Sequence, residues 1–293
     1  MTKKVCSLCP RECNIDRSIN VGYCNSKDKI KVARAQKHMW EEPCISGTNG
    51  SGTVFFTGCN MGCVFCQNAP ISKGNVGKEI TIARLKEIYA TLIESKVHNI
   101  NLVTPSHYVD KIAESLDGGL PIPVVYNSSG YDKVSSLEKL RGKIDIYLPD
   151  IKYSLDDVAM RYSSAKDYPR IVRENLEEMY SQVGDYVIND DGIMEKGMIV
   201  RHLVLPSNYE NSKGVIDTFS DFIKGKRVLF SLMSQYTPVG NLENFPEIAR
   251  KLTRQEYERV EEYMLSKGIE EGFCQDYSSA DEIYIPPFNL EGV

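Results

Sequence analysis

Three cysteines that stand close together carry the clearest chemistry of this sequence. Cys59, Cys63 and Cys66 have the spacing C-x3-C-x2-C, so one short loop presents three thiols. A ferredoxin-type cluster takes four cysteines, and a structural zinc ion also takes four ligands. Three thiolates at this spacing therefore predict a [4Fe-4S] cluster in which one iron keeps a coordination position open.

The residues that flank this loop help to identify the kind of cluster site. A short run, Phe55-Phe56-Thr57-Gly58, leads into the first cysteine, and Phe65 directly precedes the third. With these flanks the loop resembles that of the radical S-adenosylmethionine (SAM) superfamily, in which SAM chelates the open iron. The resemblance implies a [4Fe-4S] cluster and SAM as cofactors. It also implies that the three cysteines are cluster ligands and catalytic residues. A zinc site or unrelated buried thiols are the alternatives.

Further segments match one branch of that superfamily in the same chain order. They are residues 52–59, 66–68, 127–130, 149–152 and 201–206. Together they resemble the glycyl-radical-enzyme activases of the pyruvate formate-lyase activating type, over roughly residues 50–240. Residues 6–13 and 38–43 resemble an uncharacterised activase-like subgroup. The resemblance implies two partners, a glycyl radical enzyme and a small electron donor protein of the flavodoxin or ferredoxin type.

Candidate cofactor contacts stand at the ends of predicted strands, where parallel α/β folds gather their chemistry. Thr104 lies at the position where many superfamily members hold the SAM amino group with a Gly-Gly-Glu motif. Gln235 follows the sixth predicted strand, where the activases place a histidine that contacts SAM. The expected cofactor-binding residues are Phe65, Thr104, Asn127, Ser129, Asp150, Lys152, Arg201 and Gln235. For Asp150, Lys152 and Arg201, a structural ion pair is the alternative. By strand alternation His202 faces away from Arg201, which predicts a structural role.

A second set of cysteines precedes the cluster loop. Cys6, Cys9, Cys13 and Cys24 have the spacing C-x2-C-x3-C-x10-C. Four neighbouring thiolates repel one another unless a metal holds them. The set therefore predicts either a zinc ion or an auxiliary iron–sulfur cluster, with free thiols as the alternative.

Composition limits the class of protein and its partners. The net charge of −5 gives no electrostatic support for a nucleic-acid partner or an anionic membrane. No secretory signal opens the sequence, and no apolar run reaches the ~18 residues that span a bilayer. We therefore expect a cytoplasmic protein with reduced, metal-bound cysteines.

The elements that position these residues follow a strand–helix repeat. Short β-branched and aromatic runs predict six strands, at residues 53–57, 100–103, 122–126, 144–148, 198–205 and 228–232. Amphipathic stretches between them predict helices and a parallel α/β sheet. The resemblance implies a partial (β/α)6 TIM-like barrel of the radical SAM type; an open doubly wound sheet is the alternative.

Three regions are expected along the chain. Residues 1–50 lack periodicity and predict a cysteine-rich metal-binding cap, and residues 51–240 predict the partial barrel. Residues 241–293 predict a C-terminal helix and a tail that pack on the barrel, with the prolines of segment 283–288 excluding a helix there. A small hairpin with an Asp-Gly turn is expected at 186–193.

Three functions are consistent with these observations. The first is a radical SAM enzyme that cleaves SAM reductively and removes a hydrogen from a backbone glycine of a partner enzyme. The second keeps SAM cleavage but acts on a small molecule or a peptide side chain. The third, from a different class, is an iron–sulfur electron-transfer or sensor protein without SAM chemistry.

Overall fold

The structure, a computed structural model, describes residues 5–277 and 287–293. Its strands are β1 Ile30–His38, β2 Ser51–Phe56, β3 Lys78–Ile80, β4 Ile100–Val103, β5 Val124–Ser128, β6 Ile146–Pro149, β7 Val187–Ile188, β8 Met194–Leu203, β9 Leu229–Met233 and β10 Gly272–Cys274. Its α-helices are α1 Pro43–Ser46, α2 Ala69–Ser72, α3 Ile82–Glu94, α4 Val109–Ser115, α5 Val134–Leu137, α6 Asp156–Ser163, α7 Tyr168–Val183, α8 Tyr209–Phe222 and α9 Arg254–Ser266. Short 3-10 turns lie at Ser106–Tyr108, Glu138–Leu140 and Pro246–Ile248.

One curved, mostly parallel sheet organises the chain. Its strand order is β10-β9-β8-β6-β5-β4-β2-β1-β3, and β7 pairs with β8. The neighbouring pairs from β2 to β9 along this order are all parallel. These six strands are the six predicted from the sequence, with ends that shift by a few residues, so the parallel α/β partial barrel is confirmed.

Helices cover the outer face of the sheet because each carries one apolar face. In α3, Leu85, Ile88, Tyr89 and Leu92 are buried, and Thr81 caps the helix by accepting a hydrogen bond from the Arg84 N–H. The α7 helix buries eight side chains in the same way. The inner face of the sheet is therefore left for the polar strand-end residues.

The predicted cap of residues 1–50 includes one strand of the sheet. Strand β1 pairs antiparallel with β2, from Val32 opposite Phe56 to His38 opposite Ser51, so it extends the sheet. A register irregularity between Val32 and Arg34 breaks the alternation of buried and exposed side chains, which explains why the sequence showed no strand periodicity here. Outside the sheet, the described cap consists of the loop region that precedes Ile30 and of residues 39–50 with α1.

The hairpin at residues 186–193 is confirmed, since β7 pairs antiparallel with β8. Residues 287–293 lie along β1: the Leu290 N–H donates to the Ala33 carbonyl at 3.1 Å, and the Ala35 N–H donates to the Glu291 carbonyl at 2.9 Å. Of the predicted tail segment 283–288, residues 283–286 lie outside the described residues. Among the described helices, none combines the length and apolar character needed to cross a membrane.

Candidate cluster and cofactor site

The cluster loop leaves β2 at the carboxyl end of the sheet. Gly58 there has φ 93°, and a Cβ at this position would lie 2.5 Å from the Cys24 carbonyl oxygen, so glycine is required. The Cys59 N–H donates to that same carbonyl at 3.2 Å, and the Val64 N–H donates to the Tyr162 carbonyl at 2.9 Å. The loop is thus fixed by main-chain bonds at both ends.

Each thiol of the loop receives a hydrogen bond. The Met61 N–H lies 3.4 Å from Cys59 Sγ. The Ser163 hydroxyl donates to Cys63 Sγ at 3.0 Å, and the Ser72 hydroxyl donates to Cys66 Sγ at 3.2 Å. Donors aimed at sulfur stabilise the thiolate form that binds iron.

Burial favours the neutral thiol form of two cysteines of the loop. It raises the pKa of Cys59 to about 12, with the neighbouring thiols of Cys63 and Cys66 adding to the effect. Burial likewise raises the pKa of Cys66, while Ser72 and Lys152 oppose this. Metal binding must therefore release protons from these sulfurs.

A cavity of about 330 Å³ opens beside the three thiols. All eight residues predicted to bind cofactor line it together with Cys59, Cys63 and Cys66. Phe65 forms one wall and packs edge-on against Tyr162 and Tyr236. The structure thus brings the predicted site together at one end of the sheet, as the strand-end argument requires.

A buried ion network forms one wall of the cavity. Arg201 Nε donates to Asp150 Oδ1 at 2.9 Å, and its two terminal nitrogens donate to Glu41 Oε2 at 3.2 Å and to Asn127 Oδ1 at 2.6 Å. The Lys152 ammonium lies 2.5 Å from Asp150 Oδ2. Because Arg201 is shared among three protein acceptors, the structural ion pair describes it better than a free carboxylate-binding fork.

The pKa values in this network follow from burial and charge. Burial raises the pKa of Asp150, but Arg201 and Lys152 together outweigh it and bring that pKa below its usual value. Burial lowers the pKa of Lys152, yet Asp150 and the Cys63 thiol raise it overall. The pair therefore stays charged, and the Lys152 ammonium stays near the cluster thiols.

Glu41 and Glu42 are cavity residues that sequence reasoning missed. Both side chains come from the segment after β1, which enters the lumen. Burial raises the pKa of both carboxyls, with Arg201 opposing it. Glu42 Oε2 is buried without a hydrogen-bond partner. The acidic residues of segment 38–43 could have indicated a polar site. The segment reaches the cavity only because it follows strand β1, which the sequence did not predict.

Two further features of the cavity wall fit a bound polar group. The Ser129 hydroxyl is buried and unpaired, and it lines the cavity. Thr104 has φ 59°, a left-handed conformation that costs a β-branched residue about 1–2 kcal/mol. Orphaned polar atoms and a strained residue beside three thiols fit a site built for a cluster and a polar cofactor.

The remaining predicted residues lie elsewhere. His202 Nδ1 donates to the Ile151 carbonyl at 2.7 Å, and its Nε2 accepts from the Ser212 hydroxyl at 2.9 Å, away from the cavity, as the predicted structural role requires. Cys6, Cys9, Cys13 and Cys24 lie together in the cap, outside the cavity. All nine cysteines are free thiols.

Comparison with known proteins supports the fold and a 4Fe-4S domain around the three-thiol loop. Residues 45–112 match the family model described as a 4Fe-4S single cluster domain. The fold is similar to that of SuiB from Streptococcus suis bound to S-adenosylmethionine, with a TM-score of 0.50, 13% identity, and coverage of 76% of this chain and 50% of SuiB. A spore photoproduct lyase mutant aligns with a TM-score of 0.50 and 10% identity, over 75% of this chain and 74% of the lyase. The chain therefore spans about half the length of SuiB.

The fold is thus a partial α/β barrel, and its three-thiol loop lies in the region that matches a 4Fe-4S domain. The chain belongs to the family of an uncharacterised protein of Methanocaldococcus jannaschii, to which it is 30% identical over 268 residues, 88% of this chain and 73% of that protein. The predicted fold is confirmed, and the family-model match supports the predicted [4Fe-4S] cluster.

Proposed function

We propose that this protein cleaves SAM reductively and removes a hydrogen atom from a substrate bound in the cavity. The observation that carries the proposal is the convergence of three hydrogen-bonded thiols and the predicted cofactor-binding residues on one cavity. The bound cluster supplies the electron that splits SAM into methionine and a 5′-deoxyadenosyl radical.

The side chains around the cavity have separate tasks in this proposal. Cys59, Cys63 and Cys66 bind three irons and leave the fourth to SAM. The Lys152 ammonium offsets the negative charge that the thiolates bring. Thr104 and the unpaired Ser129 hydroxyl contact SAM. Arg201, Asn127 and Asp150 are hydrogen-bonded to one another and keep their wall of the cavity rigid.

The first candidate substrate is a backbone glycine of a partner enzyme, as in the activases. The segments at residues 127–130, 149–152 and 201–206 support it by their resemblance and by their common place around the cavity. In this candidate a small flavodoxin- or ferredoxin-type protein delivers the electron.

The second candidate is a small molecule or a peptide side chain with an amino group. Glu42 favours it, because its buried Oε2 lines the cavity and has no partner among the described residues. A carboxylate oxygen left unpaired in a buried site costs about 1–3 kcal/mol or more, which a donor on the substrate would recover.

Anaerobic reconstitution with iron and sulfide tests SAM cleavage. After dithionite reduction, SAM is expected to change the EPR signal of the loop cluster, and 5′-deoxyadenosine is expected to accumulate. Cys63→Ala should abolish both, whereas Cys274→Ser, at an exposed thiol, should leave both intact. A loop cluster that forms but does not respond to SAM would instead support electron transfer or sensing.

Deuterium transfer separates the two candidate substrates. The reduced enzyme and SAM are incubated with the small-molecule or the protein fraction of cells grown in deuterated medium. Mass spectrometry then measures deuterium in 5′-deoxyadenosine. Label from the protein fraction supports the backbone glycine, and label from the small-molecule fraction supports the amine. With an amine substrate, Glu42→Gln should reduce the transfer.

A further inference from the structure

The cap brings four thiols into one small region. Burial raises the pKa of the Cys9 thiol to about 12, and the thiols of Cys6, Cys13 and Cys24 add to the effect. A Cβ added to Gly22 would lie 3.4 Å from Cys24 Sγ and 3.6 Å from Cys13 Sγ, so these two sulfurs flank one glycine. Four close, unoxidised thiols are the arrangement of a metal–thiolate centre.

The spacing of the cap cysteines mirrors that of the cluster loop. Cys6, Cys9 and Cys13 have the spacing C-x2-C-x3-C, the reverse of C-x3-C-x2-C at residues 59–66. In both cases one short loop presents three thiols. The cap adds Cys24, which gives a fourth ligand that the cluster loop lacks.

A backbone N–H group points at one of the cap sulfurs, as the Met61 N–H does in the cluster loop. The Tyr23 N–H donates to Cys13 Sγ at 3.3 Å. A neutral thiol gains little from such a donor, whereas a metal-bound thiolate gains a charge-assisted hydrogen bond.

The folding of the cap loops supports a preformed site. The Cys6 N–H donates to the Ile15 carbonyl at 2.8 Å, and the Asn14 N–H donates back to the Cys6 carbonyl at 3.0 Å. Glu12 and Asn14, on either side of Cys13, both have positive φ, 40° and 51°. These bonds and left-handed residues bend the loop that carries Cys6, Cys9 and Cys13 back on itself.

The spacing of the cap cysteines favours a cluster over a single ion. Cys6, Cys9 and Cys13 present three thiols from one loop, as the cysteines of the cluster loop do, and Cys24 supplies the fourth ligand that a ferredoxin-type cluster takes. We propose that Cys6, Cys9, Cys13 and Cys24 bind a second [4Fe-4S] cluster whose four irons are all ligated by protein.

Full ligation gives the cap cluster a different chemistry from the first cluster. With a cysteine on each iron, no position remains open to SAM. Cys24, a ligand of the cap cluster, is nevertheless hydrogen-bonded through its backbone to Cys59 of the cluster loop: the Cys59 N–H donates to the Cys24 carbonyl at 3.2 Å. The cap cluster therefore fixes the position of the loop that carries the SAM-binding cluster.

Metal analysis of the full-length chain tests the proposal. The triple variant Cys59→Ala, Cys63→Ala, Cys66→Ala leaves the cap untouched. After anaerobic reconstitution we expect about eight irons per chain in the wild type and about four in this variant, with equal labile sulfide. The reduced variant should give a cluster EPR signal that SAM does not change. This readout does not depend on SAM cleavage, so failure of the proposed function would leave it intact.

Single substitutions in the wild-type background provide the second measurement. Cys9→Ser is expected to halve the iron content, whereas Cys274→Ser, at an exposed thiol, should not change it. A folded triple variant that contains one zinc and no iron would overturn the proposal. So would full iron content in Cys9→Ser, or a triple variant that binds no metal while keeping the wild-type circular dichroism.

Discussion

At the scale of single residues, the cluster site depends on donors that no cysteine motif reveals. Ser163 lies 100 residues from Cys63 in sequence, yet its hydroxyl contacts the Cys63 sulfur at 3.0 Å. The Tyr153 hydroxyl lies 2.7 Å from the same serine oxygen and holds it in place. The redox properties of the loop are therefore set partly by α6.

Ser163→Ala is expected to make the reduction potential of the loop cluster more negative. A hydrogen bond to a ligand sulfur stabilises the reduced, more negatively charged cluster, so its loss should cost tens of millivolts. Redox titration monitored by EPR measures the change, with Ser181→Ala on the exposed face of α7 as the control. An unchanged potential would show that Ser163 only fills space.

His202 predicts a pH dependence of stability. Burial lowers its pKa to about 4, whereas an unfolded histidine has a pKa of about 6.5. Below pH 6.5 the unfolded chain binds the proton first, so this residue lowers the free energy of unfolding as the pH falls towards 4. The loss is at most about 3 kcal/mol, at 1.36 kcal/mol for each pKa unit.

Urea denaturation between pH 4 and pH 7 measures this effect. His202→Gln should flatten the fall in the free energy of unfolding over that range, although it destabilises the protein at pH 7. Parallel curves for the two proteins would mean that His202 is protonated equally in the folded and unfolded states.

The residues that sequence could and could not predict differ in a physical way. Asn127, Ser129, Asp150 and Lys152 follow predicted strands, and parallel strands bring their carboxyl ends to one edge of the sheet. Glu42 reaches the same cavity from a loop between β1 and α1. Its position depends on how that loop enters the lumen, which is a tertiary property that no local pattern encodes.

At the scale of elements, Arg11 holds the cap against two parts of the barrel. Its Nε donates to the Asn60 carbonyl at 2.7 Å, and one terminal nitrogen lies 2.8 Å from the carbonyls of both Met61 and Ser163. The guanidinium also lies 3.8 Å from the centre of the Tyr23 ring. One side chain thus joins the cap, the cluster loop and the end of α6.

Arg11→Lys is expected to loosen the cluster loop, because an ammonium lacks the planar set of donors that three carbonyls use. We expect a loss of about 2 kcal/mol in the free energy of unfolding and faster hydrogen exchange at residues 59–63. Hydrogen-exchange mass spectrometry locates the change, and Arg170→Lys on exposed α7 serves as the control. Faster exchange spread over the whole barrel would contradict a local effect.

Elements with regular patterns were predicted well, and the irregular strand was not. The run at Ile100–Val103 has four buried residues and matches its prediction at both ends. Strand β1 has an irregular burial pattern, and its charged side chains, such as Lys31 and Lys37, made it resemble a loop. Its assignment required the partner strand β2, which lies beyond the reach of a local window.

At the scale of the whole molecule, residues 287–293 complete the edge of the sheet. Arg34, whose side chain is 7% exposed, pairs with Glu291 at 2.8 Å. Phe288 packs edge-on against Phe55 of β2, with ring centres 5.6 Å apart. Phe55 in turn lines the cavity, so this segment supports the site from outside.

Deleting residues 287–293 is expected to lower the free energy of unfolding by about 3 kcal/mol, because Arg34 would lose its acidic partner Glu291 and the Pro287 carbonyl. Urea denaturation measures the loss. Arg34→Met in the shortened chain should recover part of it by removing the unpaired charge. If Arg34→Met gives no recovery, the loss comes from the apolar contact of Phe288 instead.

The pairing of Arg34 with Glu291 also has a consequence during synthesis on the ribosome. The two residues are 257 positions apart. While the chain is being translated, β1 has already emerged, but the segment that covers Ala33 and Ala35 has not. A strand with unpaired backbone groups invites pairing with other chains. We therefore expect nascent chains that stop before residue 287 to aggregate or recruit chaperones through β1.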